Sequence, residues 1–364
     1  MSRLKILIVT AVVALMMVPG GAVLAQDAGV GGTAVVSDDL LLSDSVTYDL
    51  TSMPALADGK EYVGWLISDD GSVKLSTGAM SLGSDGSIAH TFDHNSNRYT
   101  GENLIRAYSK ISVTPEDVDA DPDAPTGSPV AEASIFDKDA VRLLVTDSAN
   151  VAGSGVLTIL KNQIGIAIVH ANRSRQSSTL DDIKLHAHHV INVIEGESGT
   201  NFDASTTNPG DGVGIVGHTA EARGIVTGRG GSAGVVTDNF ALAETYAQSS
   251  ENNALAARDQ ILNKVVNEGD KTTAAIRMAA AVGYLESALH GVAGGDGGAD
   301  QAYVSAQLMA TYEFGAATIE PPELPETGDP TIPLLAQMAL IAAVILIATG
   351  GALTLNALRS RTTV

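Results

Sequence analysis

The 364-residue sequence contains no cysteine, which excludes disulfide bonds, thiol nucleophiles and cysteine-ligated metals. Aromatic residues make up only 4% of the chain, with Trp65 as the single tryptophan. Cations are also scarce, because 21 lysines and arginines stand against 42 aspartates and glutamates. Such an acidic chain repels phosphate backbones, so its composition disfavours nucleic acid as a partner. We expect core burial, long helices or bound ions to hold the fold.

The amino terminus has the pattern of a secretory signal. Arg3 and Lys5 precede an apolar run over residues 6–18, and Val23-Leu24-Ala25 follows with the small residues that a signal peptidase needs. This order predicts a signal peptide over residues 1–25 that is removed on export. The exported protein is then expected to begin near residue 26.

The last forty residues contain three segments in a fixed order. The first is the pentapeptide Leu324-Pro325-Glu326-Thr327-Gly328, and an apolar run at 331–358 and a basic tail at 359–364 follow it. This order resembles the sorting signal of surface proteins from bacteria with a thick cell wall. The resemblance implies that a sortase cuts after Thr327 and joins it to peptidoglycan. The alternative is a permanent transmembrane helix at 331–358, which is long enough to cross about 30 Å of hydrocarbon. Both interpretations predict display at the cell surface.

Residues 26–113 have the period of β-strands. Val46, Tyr48 and Leu50 alternate with polar residues, and residues 62–67 are apolar on both faces, as in a central strand. This spacing of short strands predicts an antiparallel β-sandwich. A strand-like run at 141–145 suggests that the sandwich extends to about residue 148.

One segment of this region resembles a known family. Residues 53–67, MPALADGKEYVGWLI, resemble a strand entry in the extracytoplasmic domain of anti-sigma-K-type factors, and the resemblance covers about residues 32–113. It implies a β-sandwich used outside the cell, with Trp65 in its core. It does not imply sigma-factor binding, because that function belongs to a cytoplasmic zinc-binding segment that this cysteine-free chain lacks.

Residues 114–130 are rich in proline and acidic residues, a composition that predicts an exposed linker or a long loop. After it, with a domain boundary near residue 149, the hydrophobic period changes to that of helices. Short glycine-rich breaks separate these segments, so we predict a helical bundle over residues 150–316, with Thr179 as one N-cap. A proline-rich stalk at 317–330 would lead to the pentapeptide and the transmembrane helix. The predicted fold class is therefore α+β and multidomain.

A cluster of histidines is the sharpest chemical feature. Asp182, His186 and His189 fall within about 60° of one another on a helix, and His170 lies at the end of the preceding helix. Imidazole and carboxylate groups at these spacings can share a transition metal, and a haem is the other cofactor considered. His170 joins them as a fourth ligand if the two helices pair antiparallel. The alternative is a solvated stripe in which Asp182 pairs with His186.

A second candidate is the loop after this helix. Oxygen-bearing side chains at Asn201, Asp203, Ser205 and Asp211 resemble the start of a calcium loop of the EF-hand kind. The glycine and the bidentate glutamate of that loop are missing, so only weak calcium binding is predicted. The alternative is an Asx-rich turn that caps the next helix.

No nucleophile elbow, HExxH motif or Walker loop is present. A GxGxxG match at residues 212–217 follows a polar loop instead of a strand, so dinucleotide binding is not predicted. The sequence therefore predicts a non-enzymatic binding or interaction protein displayed at the cell surface, with an unidentified extracellular ligand. The alternatives are a metal- or haem-binding bundle and an extracellular enzyme of unknown class.

Overall fold

The computed structural model describes residues 29–120, 122–149, 151–229 and 235–315. In these ranges the chain is a mixed α/β structure with two antiparallel four-stranded sheets and eight helices. The strands are β1 (Gly31–Ser37), β2 (Ser45–Thr51), β3 (Lys60–Ile67), β4 (Lys74–Met80), β5 (Ile88–Phe92), β6 (Lys110–Asp117), β7 (Ala131–Ser134) and β8 (Tyr312–Phe314). One sheet has the order β5-β2-β1-β8 and the other β4-β3-β6-β7.

The strands form where the sequence alternates. In β2 the side chains of Val46, Tyr48 and Leu50 are buried while those between them are exposed. The central strand predicted at residues 62–67 is confirmed, since β3 lies between β4 and β6 and is buried on both faces. Trp65 is fully buried in β3, and its indole N–H donates to Thr114 Oγ1 at 2.8 Å.

Side chains from the two sheets contact each other. The hydroxyls of Tyr48 in one sheet and Thr77 in the other lie 3.0 Å apart, within hydrogen-bond distance. Gly64 of β3 faces the Tyr48 hydroxyl, and a Cβ at position 64 would come within 2.9 Å of that oxygen. The glycine therefore leaves the space that the buried tyrosine needs.

The prediction for residues 114–130 is partly wrong, because residues 114–117 belong to β6. The described residues that follow form a long loop between β6 and β7, which was the alternative to a linker. Pro115 is tolerated because β7 pairs only with residues 110–113, so its missing N–H interrupts no ladder on that side. The buried Glu116 carboxylate accepts hydrogen bonds from the backbone N–H groups of Thr126 and Gly127, at 3.1 and 3.3 Å. These bonds hold the proline-rich loop against the sheet.

The helical period that begins near residue 154 is also present in the structure. The helices are α1 (Leu104–Ala107), α2 (Lys138–Val145), α3 (Val156–Gln176), α4 (Leu180–Glu195), α5 (Gly214–Val226), α6 (Val235–Lys264), α7 (Lys271–His290) and α8 (Ala299–Leu308). Their buried apolar side chains form one continuous cluster with those of the sheets.

The strand predicted at 141–145 is wrong, since these residues form the end of α2. Asp137 is its N-cap, and its carboxylate accepts a hydrogen bond from the Ala140 N–H at 3.0 Å. Val141, Leu144 and Val145 are buried at the three- and four-residue spacing of a helix face. A short apolar run does not by itself distinguish a strand from a helix, and the cap decides here.

The chain returns to the first sheet after the last helix. β8 pairs antiparallel with β1, with Phe314 opposite Gly32 and Tyr312 opposite Ala34. Tyr312 is fully buried, and Phe314 is nearly so. The described residues all belong to one compact unit, so the predicted boundary near residue 149 does not divide them.

None of the helices in the described ranges has the length and hydropathy needed to cross a membrane. The predicted signal peptide, stalk, sorting motif, transmembrane helix and basic tail lie outside the described residues.

Candidate metal centre

The candidate site lies on a helical hairpin formed by α3 and α4. A link of three residues, 177–179, joins the two helices. Thr179 caps α4 as predicted, since its side chain accepts the Asp182 N–H at 3.1 Å. Ala171 and Ala187 are fully buried, and such small side chains allow close approach of helices. The Ser174 hydroxyl donates to the Ile183 carbonyl at 2.8 Å and ties α3 to α4.

Three histidines from this hairpin meet at one point. His170 Nδ1 lies 3.3 Å from His186 Nδ1 and 3.2 Å from His189 Nδ1. The ring centroids of the three pairs are 5.0 to 5.4 Å apart. All three side chains are half-buried, and their potential ligand atoms lie within 4.8 Å of one another. The antiparallel pairing on which the role of His170 depended is therefore present.

These distances match the ligand spacing of a metal site. In a tetrahedral zinc centre with Zn–N bonds of about 2.0–2.1 Å, ligand nitrogens lie about 3.3–3.4 Å apart. The two Nδ1 separations of 3.3 and 3.2 Å fall near this value. Neutral imidazole is a good ligand for zinc, copper, nickel and iron, so the donor set suits a transition metal.

The electrostatics of the cluster favour the neutral form of His170 and His189. Burial, followed by repulsion from the other two histidines and Arg173, lowers the pKa of His170 to about 4. Burial and the neighbouring His186 and His188 also lower the pKa of His189. A metal ion competes with protons for these nitrogens, so a depressed pKa keeps them available as ligands.

The structure does not bring Asp182 to the cluster. Its carboxylate accepts a hydrogen bond from the Thr179 hydroxyl at 2.7 Å, in the first turn of α4. Asp182 shares a stripe with His186 and His189, but seven residues of helix place it about 10 Å along the axis from His189. His170 contributes a ligand atom from the neighbouring helix instead. The alternative pairing of Asp182 with His186 is not present either.

The geometry favours a bare ion over haem. A haem iron takes its protein ligands at axial positions on either side of a flat macrocycle. In this structure the three imidazoles face one another, with Nδ1 separations of 3.3 and 3.2 Å from His170, so they converge on a point and do not face each other across a plane.

The predicted calcium ligands are engaged separately. Asn201 donates to Glu195 at 2.7 Å, and Asp203 accepts hydrogen bonds from the Ser205 N–H and hydroxyl. Asp211 accepts from backbone N–H groups at the start of α5. Among the described residues no carboxylate joins a group with metal-ligand spacing. The hydrogen bonds are those of the Asx-rich turn that was the alternative.

Two other histidines pair with carboxylates of this loop. His218 is nearly fully buried, and its Nε2 lies 2.6 Å from Asp211 Oδ2. His188 Nδ1 lies 3.1 Å from Asp203 Oδ2 without the angle of a hydrogen bond, so this contact is electrostatic. His188 therefore points away from the three-histidine cluster, although it is next to His189 in sequence.

Sequence reasoning missed Arg173. It follows His170 by one helical turn on α3, is exposed, and contributes to the low pKa of that histidine. A spacing of three residues on a helix places two side chains on the same face, and this was the available signal.

No protein-family model, no curated protein and no solved structure matches this chain. Of the four predicted metal ligands, the structure brings together His170, His186 and His189 and leaves Asp182 at the helix cap. The chemistry of these three imidazoles is what assigns a role to the site.

Proposed function

We propose that this protein is exported, displayed at the cell surface, and binds a divalent transition metal there through His170, His186 and His189. The observation that carries the proposal is the convergence of three Nδ1 atoms, with separations of 3.3 and 3.2 Å from His170. Zinc and copper suit such a set best among first-row divalent ions. The proposal assigns binding and no chemical reaction.

The terminal segments support the location. We propose that residues 1–25 direct export and that the C-terminal segment holds the protein at the surface. The anchor is either peptidoglycan, after a sortase cuts at Thr327, or the membrane, through a helix at 331–358. We further propose that the two sheets act as a β-sandwich and the helices as a bundle within one rigid ectodomain. The resemblance to anti-sigma-K-type extracytoplasmic domains supports the sandwich.

Metal analysis of the purified ectodomain, residues 26–327, tests the proposal. After chelation and reloading, we expect about one equivalent of zinc that resists gel filtration. Zinc at a hundredfold excess over its Kd should raise the free energy of unfolding by about 2.7 kcal/mol. His186→Ala should abolish both effects.

His188→Ala is the matched control, because this ring lies on the same helix but contacts Asp203 instead of the cluster. It should retain the zinc equivalent and the stabilisation. The proposal is wrong if no metal binds, or if His186→Ala binds as much zinc as the control.

A specific surface feature favours recognition of a partner protein as a second function. Leu40, Leu41 and Leu42 are 70%, 54% and 40% exposed on the loop between β1 and β2. The buried Asp44 carboxylate accepts three consecutive backbone N–H groups of this loop, at 2.6 to 3.0 Å. The carboxylate of Asp38, at the start of the loop, accepts the Ser43 N–H at 2.7 Å. The loop is thus fixed with an apolar tip, which suits an apolar pocket on a protein partner.

Site-specific cross-linking on intact cells tests this second function. A photoreactive amino acid at position 41 should yield a discrete protein adduct. Added unlabelled ectodomain should lower the yield of this adduct by competing for the partner. The control is the same amino acid at Val73, which is 53% exposed on another loop. Identical adducts at both positions, or none at position 41, would contradict a leucine-specific contact.

A further inference from the structure

The three-histidine cluster provides too few ligands to surround a metal ion. Zinc in proteins is usually four-coordinate, and a site with three protein ligands keeps a position for water or another molecule. Among the described residues, no aspartate, glutamate or fourth histidine joins the cluster at ligand distance. Asp182, the nearest predicted candidate, is held by Thr179 at the helix cap.

The open position is accessible from solvent. His170, His186 and His189 are each only half-buried. Val169 and Leu185, the residues that precede His170 and His186, are 48% and 41% exposed. The cluster therefore lies at the protein surface and is not enclosed in the core.

The charge at this point is opposite to that of the chain as a whole. Three neutral imidazoles leave the two positive charges of a divalent ion uncompensated, whereas metal sites with carboxylate ligands offset them. The Arg173 guanidinium adds a third charge from one turn along α3, and no acidic side chain pairs with it in the part of the chain that the structure describes. The formal net charge of the chain is −21, so this would be a local cationic spot on an acidic protein.

We propose that the metal bound at His170, His186 and His189 takes its remaining ligand from solution, and that this ligand is an anionic group, a carboxylate or a phosphate, which Arg173 also contacts. This inference rests on the proposed metal-binding function. One oxygen of the anion coordinates the ion, and a second oxygen accepts hydrogen bonds from the guanidinium, whose planar donors match carboxylate and phosphate groups. The site then binds an anion only when the metal is present.

Cobalt provides the readout, because its visible spectrum changes when a ligand on the ion is exchanged. The cobalt-loaded ectodomain is titrated with acetate and, separately, with inorganic phosphate. We expect a saturable spectral change with at least one of them. Arg173→Gln should leave the spectrum of the anion-free protein unchanged and raise the anion Kd about fivefold, the loss expected for one exposed charge contact.

Arg175→Gln is the matched control. Arg175 is an exposed arginine on the same turn, but its Nε donates to Asn172 at 3.0 Å. This variant should bind anions as the wild type does. Equal anion affinity in the two variants would overturn the role of Arg173.

The outcomes separate this inference from the function on which it rests. If cobalt binds and neither anion alters its spectrum, the coordination is complete without an external ligand and the inference is wrong. The metal-binding function would survive that result. If no cobalt binds, the proposed function itself fails.

Discussion

Replacement of Tyr312 by alanine tests whether the sheets and the helices fold as one unit. Tyr312 is fully buried in β8, and its hydroxyl donates to the Tyr108 carbonyl at 3.3 Å. Loss of a large buried aromatic side chain lowers the free energy of unfolding by about 3–5 kcal/mol, since the cavity is only partly refilled. For a chain of this size the melting temperature should fall by roughly 10 °C.

Two optical probes locate the effect. Trp65, the only tryptophan, is buried in β3 and reports on the sheets through its fluorescence. Far-UV circular dichroism reports mainly on the helices. Because β8 follows the last helix and pairs with β1, we expect Tyr312→Ala to shift both transitions together.

Glu313→Ala is the control for this experiment, as Glu313 lies between the two buried residues of β8 and is partly exposed. It should change the free energy of unfolding by less than about 0.5 kcal/mol. A Tyr312→Ala protein whose fluorescence transition shifts while its helical transition stays in place would refute the single unit. The helices would then form an independent domain.

Three further predictions concern other parts of the chain. The free energy of unfolding of the metal-free ectodomain should decrease as the pH falls from about 6.5 to about 4. The reason is that His170 takes up a proton in the unfolded chain but stays neutral in the folded one. A His170→Gln variant that shows the same decrease in stability would contradict this. Limited proteolysis within residues 118–130 should nick the protein without separating two fragments on gel filtration, since β6 on one side of the loop pairs with β7 on the other. Thr327→Ala should move the protein from the cell-wall fraction to the membrane fraction, and detergent release of the wild type would show that sorting does not occur.

Much of the local structure could be predicted from residue patterns. The alternation of Val46, Tyr48 and Leu50 predicts β2, and the two-sided apolar run at residues 62–67 predicts the central β3. Thr179 is the N-cap of α4 as expected. In each of these cases the prediction depends on residues within one element. The burial of one strand face follows from the alternation in that strand, and the first N–H groups of a helix find their hydrogen-bond acceptor in a residue just before it.

Elements that depend on distant partners could not be predicted in this way. β8 is only three residues long, and it forms because β1 offers an open edge nearly 280 residues earlier in the chain. The proline-rich segment after Val113 looked like a linker because composition does not reveal that Glu116 is buried and binds the loop backbone. Tertiary contacts decide both cases.

The candidate site shows the same limit. Helical periodicity placed Asp182, His186 and His189 on one stripe, but angle alone ignores the rise along the axis that separates Asp182 from His189. It also does not show that Thr179 engages the Asp182 carboxylate at the helix cap. His170 could be predicted only on the condition of antiparallel packing, which the three-residue link makes possible. Arg173 was visible in the sequence only as one more exposed cation.

X-ray absorption by the zinc-loaded ectodomain tests the central claim most directly. We expect a first shell of about four light atoms at about 2.0–2.1 Å, with the multiple-scattering signature of three imidazole rings. His186→Ala should reduce that signature or remove the metal, while His188→Ala should leave it unchanged. A shell of oxygen atoms alone, identical in the wild type and in both variants, would place the zinc on surface carboxylates and contradict a metal centre at His170, His186 and His189.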